Sequence, residues 1–372
     1  MSDKPVFVAQ PFLPPLQEYI PYLEEIWANK VLTNNGPMHQ RLEEALRIHL
    51  GVEHISLFNN GTNALITALQ ALNLSGEVIT TPFSFVATAH SILWNRLTPV
   101  FVDIDPDSLN IDPKLLEAAI TPRTTAILAV HCYGRPCDVD AIGAIAKRNG
   151  LRVVYDAAHA FGVRCHCGSV LRHGDLSVLS FHATKVFNTF EGGAIVCRDR
   201  ETKIRIDQLK NFGIVDEVTV ASDGLNGKMN EVSAAFGLLQ LKHLPQAISR
   251  RRQVALAYQS ALNKVTGLRI AIDLVSAESN YSYFPVIVGD DFPVDRDGLY
   301  QVLKAAGIMS RRYFYPLISQ FPPYAGLPSA DPATLPVAMD VARRVLCLPI
   351  HSGVLDEDIE RAVTAIKMLT SR

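Results

Sequence analysis

The chain has 372 residues and carries 35 Lys plus Arg against 37 Asp plus Glu, a formal net charge of −2. Its length predicts two domains, or three, at roughly 150 residues each, and its near-neutral balance disfavours nucleic-acid and membrane-surface roles, which need a broad basic face. With 48% hydrophobic and 19% charged residues, the composition is that of a chain with a large buried core rather than a disordered one. No apolar stretch approaches the ~18 residues of a membrane span. Met1–Pro15 is broken by prolines and offers no apolar run for a secretory signal. Six cysteines are too few for a disulfide scaffold in a chain of this length. A soluble, cytoplasmic globular protein is expected, with no membrane partner and no nucleic-acid partner.

In chain order, β-branched runs predict strands at His54–Phe58, Glu77–Thr80, Thr98–Val102, Thr125–Val130, Arg152–Tyr155, Leu176–Ser180 and Ala194–Cys197. Helical patterns at Asn63–Leu72, Ser84–Leu93 and Val139–Arg148 lie between several of them. Strand and helix in alternation imply an α/β fold, with a mostly parallel sheet covered by helices on both faces. The last two strands follow each other closely, so one antiparallel member is expected. Glu231–His243 and Ala247–Val265 read as helices. Beyond them the pattern becomes α+β, with strands at Leu268–Ile272 and Tyr283–Val288 and helices at Arg296–Ala306 and Asp356–Leu369. The domain boundary is placed near Leu244–Gln246, giving a large domain over 1–245 and a small one over 246–372. Sheets of the first kind bind ligands beyond the carboxyl ends of their strands, which is where chemistry is sought.

Several residue types collect at those ends. Asn59-Asn60-Gly61-Thr62-Asn63 precedes a helix, and a helix N-terminus with a glycine and a hydroxyl residue can grip a phosphate. Alone it reads more readily as an ordinary N-cap, and it has neither the P-loop lysine nor the G-x-G-x-x-G spacing. Phe85 follows the next strand and could stack on a flat ring, though core packing is the usual fate of such a residue. Asp156 closes an apolar strand, where a buried carboxylate needs a cation such as a protonated pyridine nitrogen. Its plain alternative is a helix cap. Ala157 and Ala158 would admit a flat ring, and His159 could touch it. Lys185 lies just past a strand ending at Ser180, in a loop closing on Glu191-Gly192-Gly193. Desolvation there would lower its pKa, and only a neutral amine attacks a carbonyl to form a Schiff base. A phosphate grip, a ring stacker, a ring-nitrogen carboxylate and an amine nucleophile are together the inventory of a pyridoxal phosphate site.

These segments resemble the DegT family of nucleotide-sugar aminotransferases, on the type I (aspartate aminotransferase-like) fold. The likeness rests on Leu32–Pro37, Asn60–Leu65, Thr81–Thr88, His131–Gly134, Asp156–His159, Ser180–Lys185 and Gly224–Glu231. It implies Lys185 as the Schiff-base lysine and Asp156 as the holder of the pyridinium nitrogen. It implies His159 against the ring or its 3-hydroxyl, Phe85 stacked on the ring, and Gly61, Thr62 and Ser180 on the phosphate. Asn226 is implied to reach the phosphate of a neighbouring subunit, making a homodimer the active unit.

The resemblance also implies an enzyme that moves an amino group from L-glutamate to a nucleotide-linked ketosugar. Because Lys185 is present, transamination is favoured over the dehydration catalysed by members with histidine there. Phe190 stands where many relatives have glycine. With Glu191 and the Arg312-Tyr313-Phe314-Tyr315 run, it looks most like enzymes acting on C4 of a dTDP-4-keto-6-deoxyhexose. Arg312, Tyr313 and Tyr315, with Phe190 and Glu191, are therefore the expected substrate residues, and Arg311 with Arg312 could face a diphosphate. Amination at C3, a UDP-linked sugar, and a non-catalytic cofactor-binding regulator are the alternatives. Cys165-His166-Cys167 with His173 nearby does not have C-x-x-C spacing, and no metal is expected.

Overall fold

The computed structural model describes residues 4–271 and 279–370. Ile272, the end of one expected strand, lies outside them. The seven strands expected up to Cys197 form one sheet. Its spatial order is His54–Phe58, Gly193–Cys197, Leu176–Ser180, Arg152–Asp156, Thr124–Val130, Glu77–Thr80 and Thr98–Phe101. All pairings are parallel except those of Gly193–Cys197, which runs antiparallel to both neighbours. Of the seven, the strand that follows its predecessor most closely is thus the reversed one, as expected from its spacing.

Side-chain alternation sorts each strand onto two cores. Leu57, Val153, Tyr155 and Leu179 belong to one, covered by Pro37–Leu50, Val139–Asn149 and the start of Glu231–Leu262. Phe58, Val154, Leu176 and Val178 belong to the other, covered by Gly61–Ala71 and Arg200–Leu209. Asp156 shares its parity with Val154, and Ser180 with Val178. Both strand-end side chains therefore face the layer that holds Gly61–Ala71 and Ala87–Trp94.

Gly61–Ala71 begins two residues before its apolar periodicity does. Asn60 is its cap, extended at φ −163° and accepting from the Asn63 N–H at 2.8 Å, so Gly61 and Thr62 fall in the first turn. The two helices expected on either side of Leu244–Gln246 are one, Glu231–Leu262, with Pro245 inside it. A proline in a helix costs a hydrogen bond and a steric clash. Here burial outweighs that cost: Ala234, Leu239 and Leu244 pack into the first core, and Val254, Tyr258 and Leu262 into another.

That further core is covered by Arg296–Ala305 and Asp356–Thr370. It lies on an antiparallel sheet with Phe284–Val288 between Leu268–Ile270 and Val345–Leu348. The strand Val6–Phe7 joins the same end of the chain, pairing with Ile308–Met309. No helix among the described residues is long and apolar enough to cross a membrane.

One buried carboxylate ties the start of the long helix to the large domain. Glu231 accepts from the Met38 N–H at 2.8 Å and the His39 N–H at 2.9 Å, at the N-terminus of Pro37–Leu50. A Cβ on Gly36 would sit 2.6 Å from its Cδ, which is why glycine precedes Pro37. Two amides left unpaired in the interior each cost roughly 1–3 kcal/mol. Glu231→Ala is therefore expected to lower stability by about 2–4 kcal/mol, read as a shift of the urea midpoint; a loss under about 0.5 kcal/mol would show that solvent replaces the carboxylate.

Candidate active site

A cavity of about 720 Å³ opens at the carboxyl ends of the central strands, a size that suits a small-molecule or cofactor site. Gly61, Thr62, Phe85, Asp156, His159, Ser180, Lys185, Glu191 and Tyr313 all line it. Nine of the thirteen residues singled out from sequence are thus brought together, from segments more than 250 residues apart.

At the phosphate-sized end, a Cβ on Gly61 would lie 2.9 Å from that of Ser180. Glycine lets the helix N-terminus come down onto the strand end. Asn60 satisfies the Asn63 N–H, and the Gly61 and Thr62 amides take no protein acceptor among the described residues. Two free amides, the Thr62 and Ser180 hydroxyls and the positive end of the helix dipole form a site for an anion. Asn59 braces it from behind, accepting from Asn63 Nδ2 at 2.9 Å and donating to the Asn226 carbonyl at 3.0 Å.

Asp156 is 5% exposed. Thr88 Oγ1 donates to its Oδ2 at 2.7 Å and the Ala158 N–H to its Oδ1 at 3.1 Å. Ser84 lies 2.8 Å from the Thr88 hydroxyl. Burial raises the Asp156 pKa, against the opposing pull of Thr88, Ala158 and the Lys185 charge. Among the described residues no cation makes an ion pair with it. A carboxylate so placed favours a cationic hydrogen-bond donor brought by a ligand.

Lys185 ends a turn in which its N–H donates to the His182 carbonyl at 2.9 Å. Burial lowers its pKa to about 8, partly offset by Asp156. His159 accepts the Tyr133 N–H at Nδ1, 3.2 Å away, and burial, with Lys185 second, keeps the ring neutral. Its remaining proton is then on Nε2, a donor available to a ligand oxygen. The His159 ring stacks parallel to Phe314 at 6.0 Å, with the Tyr283 edge at 4.8 Å.

The other four expected residues lie elsewhere. Phe190, at φ +64°, stacks on Phe236 at 4.1 Å and does not line the cavity. Arg312 donates to Asp297 at 2.6 Å and lies over the Tyr300 ring at 3.8 Å. The Tyr315 ring lies under the Arg296 guanidinium. The Asn226 side is exposed, and only its backbone meets this chain's phosphate-sized end, through Asn59. Conversely, Thr88, Asn63, His182, Thr184, Tyr283 and Phe314 line or brace the cavity without having been singled out. Thr88 sits four residues after Ser84, one helical turn on, and that spacing was a usable signal. Phe314 lies inside the 312–315 run expected at the substrate, whereas Tyr283 comes from the far half of the chain and has no such signal.

Residues 16–367 match the model of the DegT/DnrJ/EryC1/StrS aminotransferase family. The chain belongs to this family. The aminotransferase is 58% identical over 365 residues to a Shigella dysenteriae protein named dTDP-4-amino-4,6-dideoxy-D-glucose transaminase, covering 98% of this chain and 99% of that one. An Escherichia coli protein of the same name is 56% identical over 367 residues, with the same coverage. Among solved structures, DesI in the presence of its TDP-sugar product superposes with a TM-score of 0.94 at 37% identity, over 100% of this chain and 94% of that one. Helicobacter pylori PseC, an aminotransferase of pseudaminic acid biosynthesis, gives 0.92 at 31% identity, over 99% and 100%. The type I fold expected from the sequence is that of these neighbours.

The lowered Lys185 pKa has a direct consequence for the aminotransferase. Its folded value, about 8, lies below the ordinary 10.5, so the unfolded chain holds the proton more tightly. Stability of the cofactor-free protein therefore rises with pH between about 8 and 10.5, where only the unfolded lysine is still charged. Amine-directed labelling of Lys185, followed by peptide mass spectrometry, is expected to show a midpoint near pH 8; a midpoint above 10 would show a solvated lysine.

Proposed function

We propose that the chain transfers the amino group of L-glutamate to C4 of a dTDP-linked 4-keto-6-deoxy-D-glucose, giving the 4-amino-4,6-dideoxy sugar nucleotide and 2-oxoglutarate. The observation that carries the reading is the meeting of Lys185, Asp156 and the Gly61–Ser180 anion site in one cavity. The two relatives above 55% identity, with their printed transaminase names, support the sugar and the position aminated.

The cofactor is pyridoxal phosphate, which when bound supplies the electron sink that makes an amine-bearing carbon acidic. The residues present fit it. Lys185 Nζ would hold its carbonyl carbon, Asp156 its ring nitrogen, His159 Nε2–H its ring oxygen, and Gly61, Thr62 and Ser180 its phosphate. Phe85, 60% exposed at the cavity mouth, would cover the ring. Asp156 keeps a proton on the ligand's nitrogen because that proton neutralises an otherwise uncompensated buried charge. Lys185, with a pKa about 8, would take a proton from the donor's α-carbon and deliver it to the cofactor's carbonyl-derived carbon. In the second half it would move a proton the opposite way, onto the sugar carbon that receives nitrogen. His182 places Nδ1 2.7 Å from the Thr184 hydroxyl and Nε2 3.7 Å from Glu191. With Tyr313, this set forms the polar wall that a sugar would meet.

The active unit is a homodimer, with Asn226 completing the partner's phosphate site. Its own cavity does not include it. Nearby, Phe212, Val215, Val218 and Val220 are exposed on the same segment, an apolar face suited to a second copy.

The enzyme is expected to turn over dTDP-4-keto-6-deoxy-D-glucose with L-glutamate to a product whose NMR spectrum places nitrogen on C4. Nitrogen on C3, or turnover with UDP-linked ketosugars alone, would contradict the assignment. Lys185→Ala and Asn226→Ala chains, each inactive alone, should recover activity when mixed, since one hybrid site keeps both residues; no recovery would place Asn226 in its own subunit's site.

A further inference from the structure

Away from the cavity, the chain after Asp156 forms a hairpin, Arg164–Cys165 paired with Gly168–Ser169, turned by His166 and Cys167. The turn brings Cys165 Sγ to 3.3 Å from Cys167 Sγ. A short helical segment, Val170–Arg172, then delivers His173, whose Nε2 lies 3.3 Å from Cys165 Sγ and 3.1 Å from Cys167 Sγ. Three donor atoms from two stretches of chain thus converge on one point. The sequence argued against a metal because Cys165 and Cys167 have C-x-C rather than C-x-x-C spacing, with His173 merely nearby. The fold brings His173 onto both sulfurs.

We propose that Cys165, Cys167 and His173 bind a zinc ion. Two thiolates and an imidazole are the borderline-soft donor set that zinc prefers. Tetrahedral bonds of about 2.3 Å to sulfur and about 2.0–2.1 Å to nitrogen place donors roughly 3.6–3.8 Å apart. The three edges found here are a few tenths of an ångström shorter, so a small outward movement of the side chains admits the ion. Cys167 is exposed and the other two half-buried, which gives the ion an entry path and leaves its fourth position to solvent. His166 and Asp140 stand outside the set, exposed and 3.6 Å from each other. Binding releases the two thiol protons to solvent, and the two thiolates balance the charge of the ion.

The position of the site indicates what the ion does. His173 leads directly into Leu176–Ser180, the strand that carries Ser180 and precedes Lys185. An ion there cross-links the hairpin to the root of that strand, outside the reaction itself. The ion would brace the hairpin with solvent in its fourth position, and the site stands whether or not the sugar assignment holds.

The test uses the full chain loaded with its cofactor, stripped of metal by a chelator under reducing conditions and titrated with Zn²⁺ against a chromophoric chelator, and separately with Co²⁺. One equivalent per chain is expected, with thiolate-to-cobalt charge-transfer bands, tetrahedral d–d absorption, and a rise in melting temperature on adding Zn²⁺. Cys165→Ser/Cys167→Ser and His173→Ala should weaken zinc binding at least a hundredfold while the cofactor's absorbance stays as in the parent. His166→Ala should keep the full equivalent. Should the variants fail to fold, the parent's cobalt spectrum still decides, because the other four cysteines are buried. Equal zinc retention by the double-serine variant, no thiolate charge transfer, or a Cys165–Cys167 disulfide in protein isolated with thiols blocked would overturn the proposal.

Discussion

A carboxylate buried at the end of a parallel strand, with no ion-paired cation among the described residues, is the constraint around which this molecule is arranged. Asp156 receives two hydrogen bonds, from Thr88 and Ala158, enough to orient it and not enough to offset its desolvation. Lys185 faces the same cavity with its own charge disfavoured by the same burial. Each group is pushed toward its neutral form. A ligand that brings a ring N–H to one and a carbonyl carbon to the other relieves both.

The fold supplies this arrangement through register. Asp156 and Ser180 close adjacent parallel strands, and strand parity turns both toward the layer that carries Gly61–Ala71 and Ala87–Trp94. The first of those helices offers amides, and the second begins one residue before Thr88. The antiparallel Gly193–Cys197 strand pairs Gly193 with both Ser180 and Phe58, so the loop with Lys185 must double back over the site. The glycines at 61, 192 and 193 are where backbone or side chain approaches too closely for a Cβ.

The strands were legible because each is a short, β-branched run bounded by turn residues, and the reversed strand because it follows its predecessor more closely than any other of the seven. The residues that line the cavity from the large sheet were legible because they lie within a few positions of strand ends. Helix starts were less so: Asn60 caps a helix whose first two residues are polar or glycine, and periodicity is silent there. Helical register was legible on both sides of Pro245, but local propensity disfavours a proline inside a helix, and packing against two cores is what carries the helix through it. Arg312 and Tyr315 lie near Tyr313 in sequence, yet their side chains pack on the neighbouring Asp297 and Arg296 rather than along the cavity. Cys165, Cys167 and His173 were all visible in the sequence, but a C-x-C spacing argued against a metal, and only the hairpin shows that the three donors converge.

The most direct measurement of the central claim is the ¹⁵N chemical shift of pyridoxal phosphate labelled at its ring nitrogen, bound to the full-length enzyme. If Asp156 keeps that nitrogen protonated, the shift stays in the pyridinium range well above the cofactor's own titration midpoint in water, and Asp156→Asn moves it to the unprotonated range with the cofactor still bound. A shift that titrates with pH as free cofactor does, or one unchanged by Asp156→Asn, would contradict the account.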